Sequence, residues 1–366
     1  MTPAAVQNLS IYLHWPFCQS KCPYCDFFSR VKKNIDQEVV ISGWLQQLER
    51  YAEILPKRRI ISVFFGGGTP SLIKPQNISR VLEKISGLWP VDGNIEVSLE
   101  ANPNTRTPNL FADLAAAGIN RLSLGIQSLD DRELKFLGRT HSAAEARQAV
   151  NDVLHCFDNH SADFIYALPG QEPETWKQRI AEIASLGFKH LSLYQLTIEE
   201  NTPFYRKGVK PADEDNAAAM YRLSETALAA AGYAKYEVSN YARSGFQSVH
   251  NNVYWQGGDY IGIGETAHGR LRKDGRFYAV TDPLQFEELT AAERAEELVI
   301  MGLRLTAGID KKRFHDCCGL NFDAFINQNF KQQALTAGLL QETSAVLKAT
   351  AEGFLLLDYL ISGLCG

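Results

Sequence analysis

Between residue 10 and about residue 200 the chain alternates short β-branched or aromatic runs with longer amphipathic stretches, and this alternation limits the available folds more than any other feature. The strand-like runs fall at residues 11–14, 60–65, 95–99, 121–125, 162–166 and 190–194. Helical patterns lie between them at 37–52, 78–88, 110–117, 143–155 and 174–185. Strands joined by helical crossovers pair in parallel with right-handed connections. Eight such units would close a barrel. Six predict an α/β fold with an open, partial (β/α)6 barrel, or a doubly wound sheet as the alternative. A further helix is expected at 213–231, stopped by Gly232.

An aromatic stretch follows at 233–241, then a glycine-rich polar segment at 244–269. Beyond Thr290 the sequence turns helix-forming, at 291–304, 310–315 and 322–337, while 339–361 mixes apolar alternation with glycine. The chain therefore reads as a core at 1–240, a connecting segment at 241–290 and a small, mainly helical C-terminal domain at 291–366. Of the 366 residues 45% are hydrophobic, enough to bury a large core. A net charge of -5 leaves no general basic surface for nucleic acid, and an RNA-directed activity is not expected. No apolar run reaches the roughly 20 residues a membrane span needs. Residues 1–10 lack the basic start and apolar stretch of a secretory signal, so the expectation is a cytoplasmic protein.

Three of the seven cysteines lie within eight residues, in Cys18-Gln19-Ser20-Lys21-Cys22-Pro23-Tyr24-Cys25. The other four, at 156, 317, 318 and 365, are scattered and read as ordinary thiols. Such spacing is not a disulfide scaffold; in a reducing compartment it points to a metal. A structural zinc loop would need a fourth ligand, and no second Cys or His pair follows at finger-like spacing. Three thiolates on one loop suit an iron–sulfur cubane whose fourth iron has no protein ligand and can be chelated by a small molecule.

Ligands in parallel α/β folds bind at the C-terminal ends of the strands. The second predicted strand ends in Gly66-Gly67-Gly68-Thr69-Pro70, where bare backbone can approach a ligand. Glu100 ends the third, and Gln127 follows the fourth. Asp163 lies in an otherwise apolar strand, where a carboxylate is costly without a partner; Arg139 is a candidate partner. Internal ion pairing or helix capping is the alternative for each of these four residues.

The C-x3-C-x2-C spacing after a first strand resembles that of radical S-adenosylmethionine (SAM) proteins. His14-Trp15-Pro16-Phe17-Cys18, Gly66–Pro70, Gly125-Ile126-Gln127-Ser128 and Asp163–Pro169 are similar to the oxygen-independent coproporphyrinogen III oxidase-like family, over nearly the whole chain. The resemblance implies a 4Fe-4S cluster on Cys18, Cys22 and Cys25. SAM would chelate the open iron, and one electron would cleave it to methionine and a 5′-deoxyadenosyl radical. It implies SAM contacts at Tyr12, Gly67, Glu100 and near Gly264, with Tyr24 beside the adenine. Gly68, Thr69, Gln127, Arg139 and Asp163 match contacts to a second SAM in the oxidase.

Three features are similar to the haem-chaperone branch of that family rather than the oxidase. Phe27 stands where the oxidase has a further cysteine, the cluster begins at residue 18 without a long preceding extension, and His250-Asn251-Asn252-Val253-Tyr254-Trp255 matches the branch's HNxxYW motif. That motif implies haem binding by His250, with Tyr254 and Trp255 against the porphyrin. His268 is a second candidate; His14 is placed to reach the cluster region, strand packing being its alternative. The expectation is a haem chaperone without coproporphyrinogen oxidase activity, the oxidase reading staying open. Its implied partners are haem, a haem-acceptor protein of respiratory type and a flavodoxin- or ferredoxin-type electron donor.

Overall fold

The computed structural model describes residues 7–105, 109–281 and 284–366; residues 1–6 of the N-terminal stretch read above lie outside it. Six parallel strands alternate with helices. The strands are β1 (Gln7–Trp15), β2 (Arg58–Gly67), β3 (Val91–Ala101), β4 (Arg121–Gln127), β5 (Asn159–Tyr166) and β6 (His190–Gln195). Helices α1 (Gln37–Ile54), α2 (Pro75–Leu88), α3 (Leu110–Ala116), α4 (Ala143–Cys156) and α5 (Pro173–Ser185) cross between them, and α6 (Glu214–Ala230) follows the last. Local chemistry sets where the helices start. Asp36 accepts from Val39 N–H at the head of α1, and Ser142 and Glu145 form a reciprocal capping box on α4.

The strands alternate between two environments, as a period of two requires. In β1, Leu9, Ile11, Leu13 and Trp15 are fully buried against the helices, while Tyr12 turns into the barrel interior. The same division holds for Leu122 and Leu124 against Arg121 and Ser123, and for Leu191 and Leu193 against His190 and Ser192. The outer face of the sheet is thus the apolar core, and the inner face is polar.

The sheet is larger than six strands. Next come β7 (Ala234–Lys235), β8 (Asn240–Ala242), β9 (Tyr260–Ile263), β10 (His268–Lys273), β11 (Arg276–Thr281) and β12 (Gln285–Leu289). The order is β12-β11-β10-β9-β1-β2-β3-β4-β5-β6-β8-β7. Among the described residues its two ends do not pair, so the barrel is open. β9 runs parallel to β1, with Ser10 opposite Tyr260 and Leu13 opposite Ile263. Residues 241–290, expected as a connecting segment, hence contribute a seventh parallel strand and an antiparallel extension. β9 is four residues long inside a glycine-rich stretch, too short for its pattern to show. A seven-residue helix, α7 (Val249–Trp255), plugs the barrel end opposite the strand C-termini.

The C-terminal region has its own apolar cluster, built on α8 (Ala291–Leu303) with Phe314, Phe322, Leu347, Leu360 and Leu364. It is mainly helical. The alternation seen at 339–361 is partly a hairpin, Leu340–Glu342 with Val346–Ala349, completed by Ile309–Asp310.

Candidate functional site

The cysteine loop is closed by a two-residue clamp, in which Phe17–Cys18 pairs in parallel with Arg30–Val31. Backbone bonds stitch its start to the end of β2: Gly68 N–H donates to the Trp15 carbonyl (2.7 Å) and Thr69 N–H to that of Phe17 (2.8 Å). This is why glycine stands here. Gly67 has φ +110°, and a Cβ on it would lie 2.7 Å from the His14 ring; one on Gly68 would lie 2.5 Å from the Phe17 oxygen. On the far side Phe204 N–H donates to the Pro23 carbonyl (3.0 Å).

A cavity of about 350 Å³ opens at the strand C-termini. It gathers Cys18, Cys22, Cys25 and Tyr24 with Gly67, Gly68, Thr69, Glu100, Gln127, Arg139 and Asp163, residues spread over 145 positions of sequence. Arg139 spans the loop and the sheet. Its guanidinium donates to the Gly125 carbonyl (2.9 Å), the Asn102 side-chain oxygen and Cys22 Sγ (3.5 Å). Asn102 in turn donates to Thr69 Oγ1 (3.1 Å). Gln127 sits at φ +70°, a left-handed conformation uncommon outside glycine and typical of functional turns.

Two carboxylates lie at the cavity base. Glu100 accepts from Gly67 N–H (3.2 Å); burial, then the charge of Asp163, pushes its carboxyl up to about 8. Burial also raises Asp163, against the pull of Ser192 and Ser123, whose hydroxyl lies 3.1 Å from both its oxygens. An organic cation entering this base would relieve the repulsion between them and favour both charged forms. The thiols fit a cluster by chemistry and placement: three free cysteines on one loop face one cavity, with a guanidinium donating to one sulfur. Burial pushes the Cys25 thiol up to about 11, so metal binding there releases a proton. Among the described residues no three such side chains converge on a single-ion point.

A second cavity, about 170 Å³, lies deeper and shares Glu100, Ser123, Asp163 and Tyr194 with the first. Tyr12 lines it, with its hydroxyl 3.1 Å from His14 Nδ1. So do His250 and Tyr254, from α7. The N-terminus of α7 is held by Glu96, which accepts from the N–H groups of Val249 and His250, both at 3.0 Å. His250 is 1% exposed. Its Nδ1 is 2.9 Å from Ser62 Oγ and its Nε2 2.6 Å from Tyr254 Oη, and burial lowers the imidazole to about 3. Both ring nitrogens are thus engaged inside the barrel. Trp255 is half-buried under the Arg304 guanidinium, 5.6 Å from its ring. His268 lies exposed on β10. Gly264 follows β9 and lines neither cavity; its N–H donates to Gln47 Oε1 (2.8 Å), and a Cβ on it would lie 2.8 Å from the His14 carbonyl oxygen and 2.9 Å from Trp44 Nε1.

Sequence reading passed over Asn102, Ser123, Tyr194 and Glu96. The signal for the interior ones was present: Arg121-Leu122-Ser123-Leu124 and His190-Leu191-Ser192-Leu193-Tyr194 alternate strictly, marking a polar inner face.

An open parallel barrel with three cysteines looped over its mouth defines the radical SAM class of protein, whose family entails a 4Fe-4S cluster and SAM. The sequence model of the Radical SAM superfamily matches residues 12–183, and that of the HemN C-terminal domain matches 289–356. The chain is 36% identical over 373 residues to "Heme chaperone HemW" of Haemophilus influenzae, covering 96% of this chain and 97% of that one. The Escherichia coli protein of the same name is 33% identical over 368 residues, with the same coverage. "Radical S-adenosyl methionine domain-containing protein 1, mitochondrial" of mouse is 35% identical over 382 residues, covering 97% and 84%. Among solved structures, E. coli coproporphyrinogen III oxidase (HemN) superposes with a TM-score of 0.82 at 19% identity, over 98% of this chain and 90% of that one. The chain belongs to the radical SAM superfamily and, within it, to the family of these HemW relatives.

Proposed function

We propose that this protein binds haem and delivers it to an acceptor protein, using a radical SAM core with a 4Fe-4S cluster on Cys18, Cys22 and Cys25. The observation that carries this reading is full-length similarity to proteins named haem chaperones at 33–36% identity, against 19% for the oxidase structure. Phe27, at the position where the oxidase has a further cysteine, supports it. When bound, the cluster supplies one electron to the SAM that chelates it. The chain's own residues bind and orient that SAM. Glu100 offers a carboxylate to its ammonium, and the Gly67 backbone stands beside it. Tyr24 walls the adenine side. Gly68, Thr69, Gln127, Arg139 and Asp163 are the proposed set for a second SAM, while the family resemblance makes Tyr12 on β1 and the segment near Gly264 further contacts of the cluster-bound one.

The acceptor in this reading is a respiratory haem protein and the electron donor a flavodoxin- or ferredoxin-type protein, in the cytoplasm. No helix among the described residues is long and apolar enough to cross a membrane. The functional units are the core at 1–240, the connecting segment at 241–290 and the C-terminal domain at 291–366. The second reading is the oxygen-independent oxidase, favoured by the shared fold. One anaerobic experiment separates them: cluster-loaded protein with SAM, a strong reductant and coproporphyrinogen III, alongside a haemin titration. Haemin binding with intact porphyrinogen is expected; decarboxylated product would overturn the delivery reading.

A further inference from the structure

His250, read from its motif as a haem ligand, has both ring nitrogens hydrogen-bonded inside the barrel. The outer face of the cysteine loop is different. Phe27 is 60% exposed, Phe28 45% and Val31 54%, neighbouring apolar side chains of a kind a monomer seldom leaves in water. Their display is built in. The Lys21 ammonium donates to the Phe27 and Ser29 carbonyls (3.0 and 3.3 Å), and His14 Nε2 lies 3.0 Å from the Phe28 carbonyl. The backbone is anchored inward, so the two rings stand outward.

Cations surround them. Residues 21–33 hold Lys21, Arg30, Lys32 and Lys33 against one carboxylate, Asp26, in a chain of net charge -5. The Arg30 guanidinium lies 5.5 Å from the Phe28 ring and pairs with Glu265; among the described residues Lys32 and Lys33 form no ion pair. Phe27 also lines the mouth of the cluster cavity, so the patch runs into the site.

Resting on the delivery reading above, we propose that haem docks on this face, its ring against Phe27 and Phe28 and its propionates on Lys32 and Lys33. Aromatic faces and flexible ammonium groups match a planar, apolar dianion. Residues 27–33 include no His, Cys or Met to grip the iron, and a seat without a strong axial ligand suits a cargo that must be released.

The test is a haemin titration of cluster-loaded full-length protein, followed by tryptophan quenching at two salt concentrations. It compares wild type with F27S/F28S, K32E/K33E and H250N, circular dichroism verifying the fold of each. Both rim variants are expected to weaken binding at least tenfold. K32E/K33E should also lose the salt dependence, while H250N should stay within about twofold of wild type. Wild-type affinity in both rim variants overturns the proposal and leaves delivery standing. Rim variants that keep haemin but are no longer reduced by an acidic electron-transfer protein overturn it in favour of a donor face. Loss of haemin binding confined to a folded H250N overturns it too. A wild type that does not bind haemin removes the delivery reading itself.

Discussion

Glu100→Gln should make the metal-free protein more stable at alkaline pH, and by an amount that grows with pH. The glutamate is held at the cavity base, its carboxyl pushed from an ordinary value near 4.5 to about 8 by burial and by the charge of Asp163. Between those limits the folded protein keeps a proton that the unfolded chain has already lost, so this group's contribution to stability falls as pH rises, and levels off above 8. A shift of this size corresponds to a ceiling of about 5 kcal/mol. Glu100 faces a cavity open to solvent, so roughly half, about 2–3 kcal/mol, is expected. Gln keeps the shape and an oxygen to accept from Gly67 N–H. The assay is urea denaturation of both proteins under reducing conditions from pH 4.5 to 8.5, read as the difference between them. That difference should be near zero at pH 4.5 and favour the variant increasingly up to pH 8. Parallel profiles would show that Glu100 is ionised in the folded protein and that the burial argument is wrong.

Replacing any one of Cys18, Cys22 or Cys25 by Ala should abolish retention of the reconstituted cluster, measured as protein-bound iron and sulfide, whereas Cys156→Ala should retain it. Gly67→Ala forces a side chain into φ +110° and against His14, which should cost about 2–4 kcal/mol in the denaturation midpoint. Gly93→Ala, with nothing within 4 Å of the added carbon, should stay within about 0.5 kcal/mol of wild type. Glu96→Gln weakens the hold on α7 and leaves Arg121, 3.9 Å away and 3% exposed, without its counter-charge. A loss of about 2–4 kcal/mol is expected, with faster hydrogen exchange in residues 249–255.

The sequence alone determined the class of fold and the cluster loop. Strand and helix periods are local properties, visible wherever an element is long enough to repeat, as in residues 37–52. A cysteine triplet within eight residues brings its ligands together whatever the rest of the chain does. What tertiary structure decided depends on contacts between distant segments. The four-residue strand β9 exists because β1 offers it a parallel edge, and its glycine-rich sequence shows no period. The same holds for the end of β2: Gly67 and Gly68 read as a ligand approach, yet their lost side chains first make room for His14 and Phe17. His250 shows the limit most plainly. A histidine beside two aromatics shows nothing in sequence of Ser62, 188 residues earlier, or of Glu96, which holds the helix start, and only the fold sets both against it. Conversely, Phe27 and Phe28 would be buried in most chains. They stand in water because Lys21 and His14 anchor the carbonyls beneath them, an arrangement that only the closed loop creates.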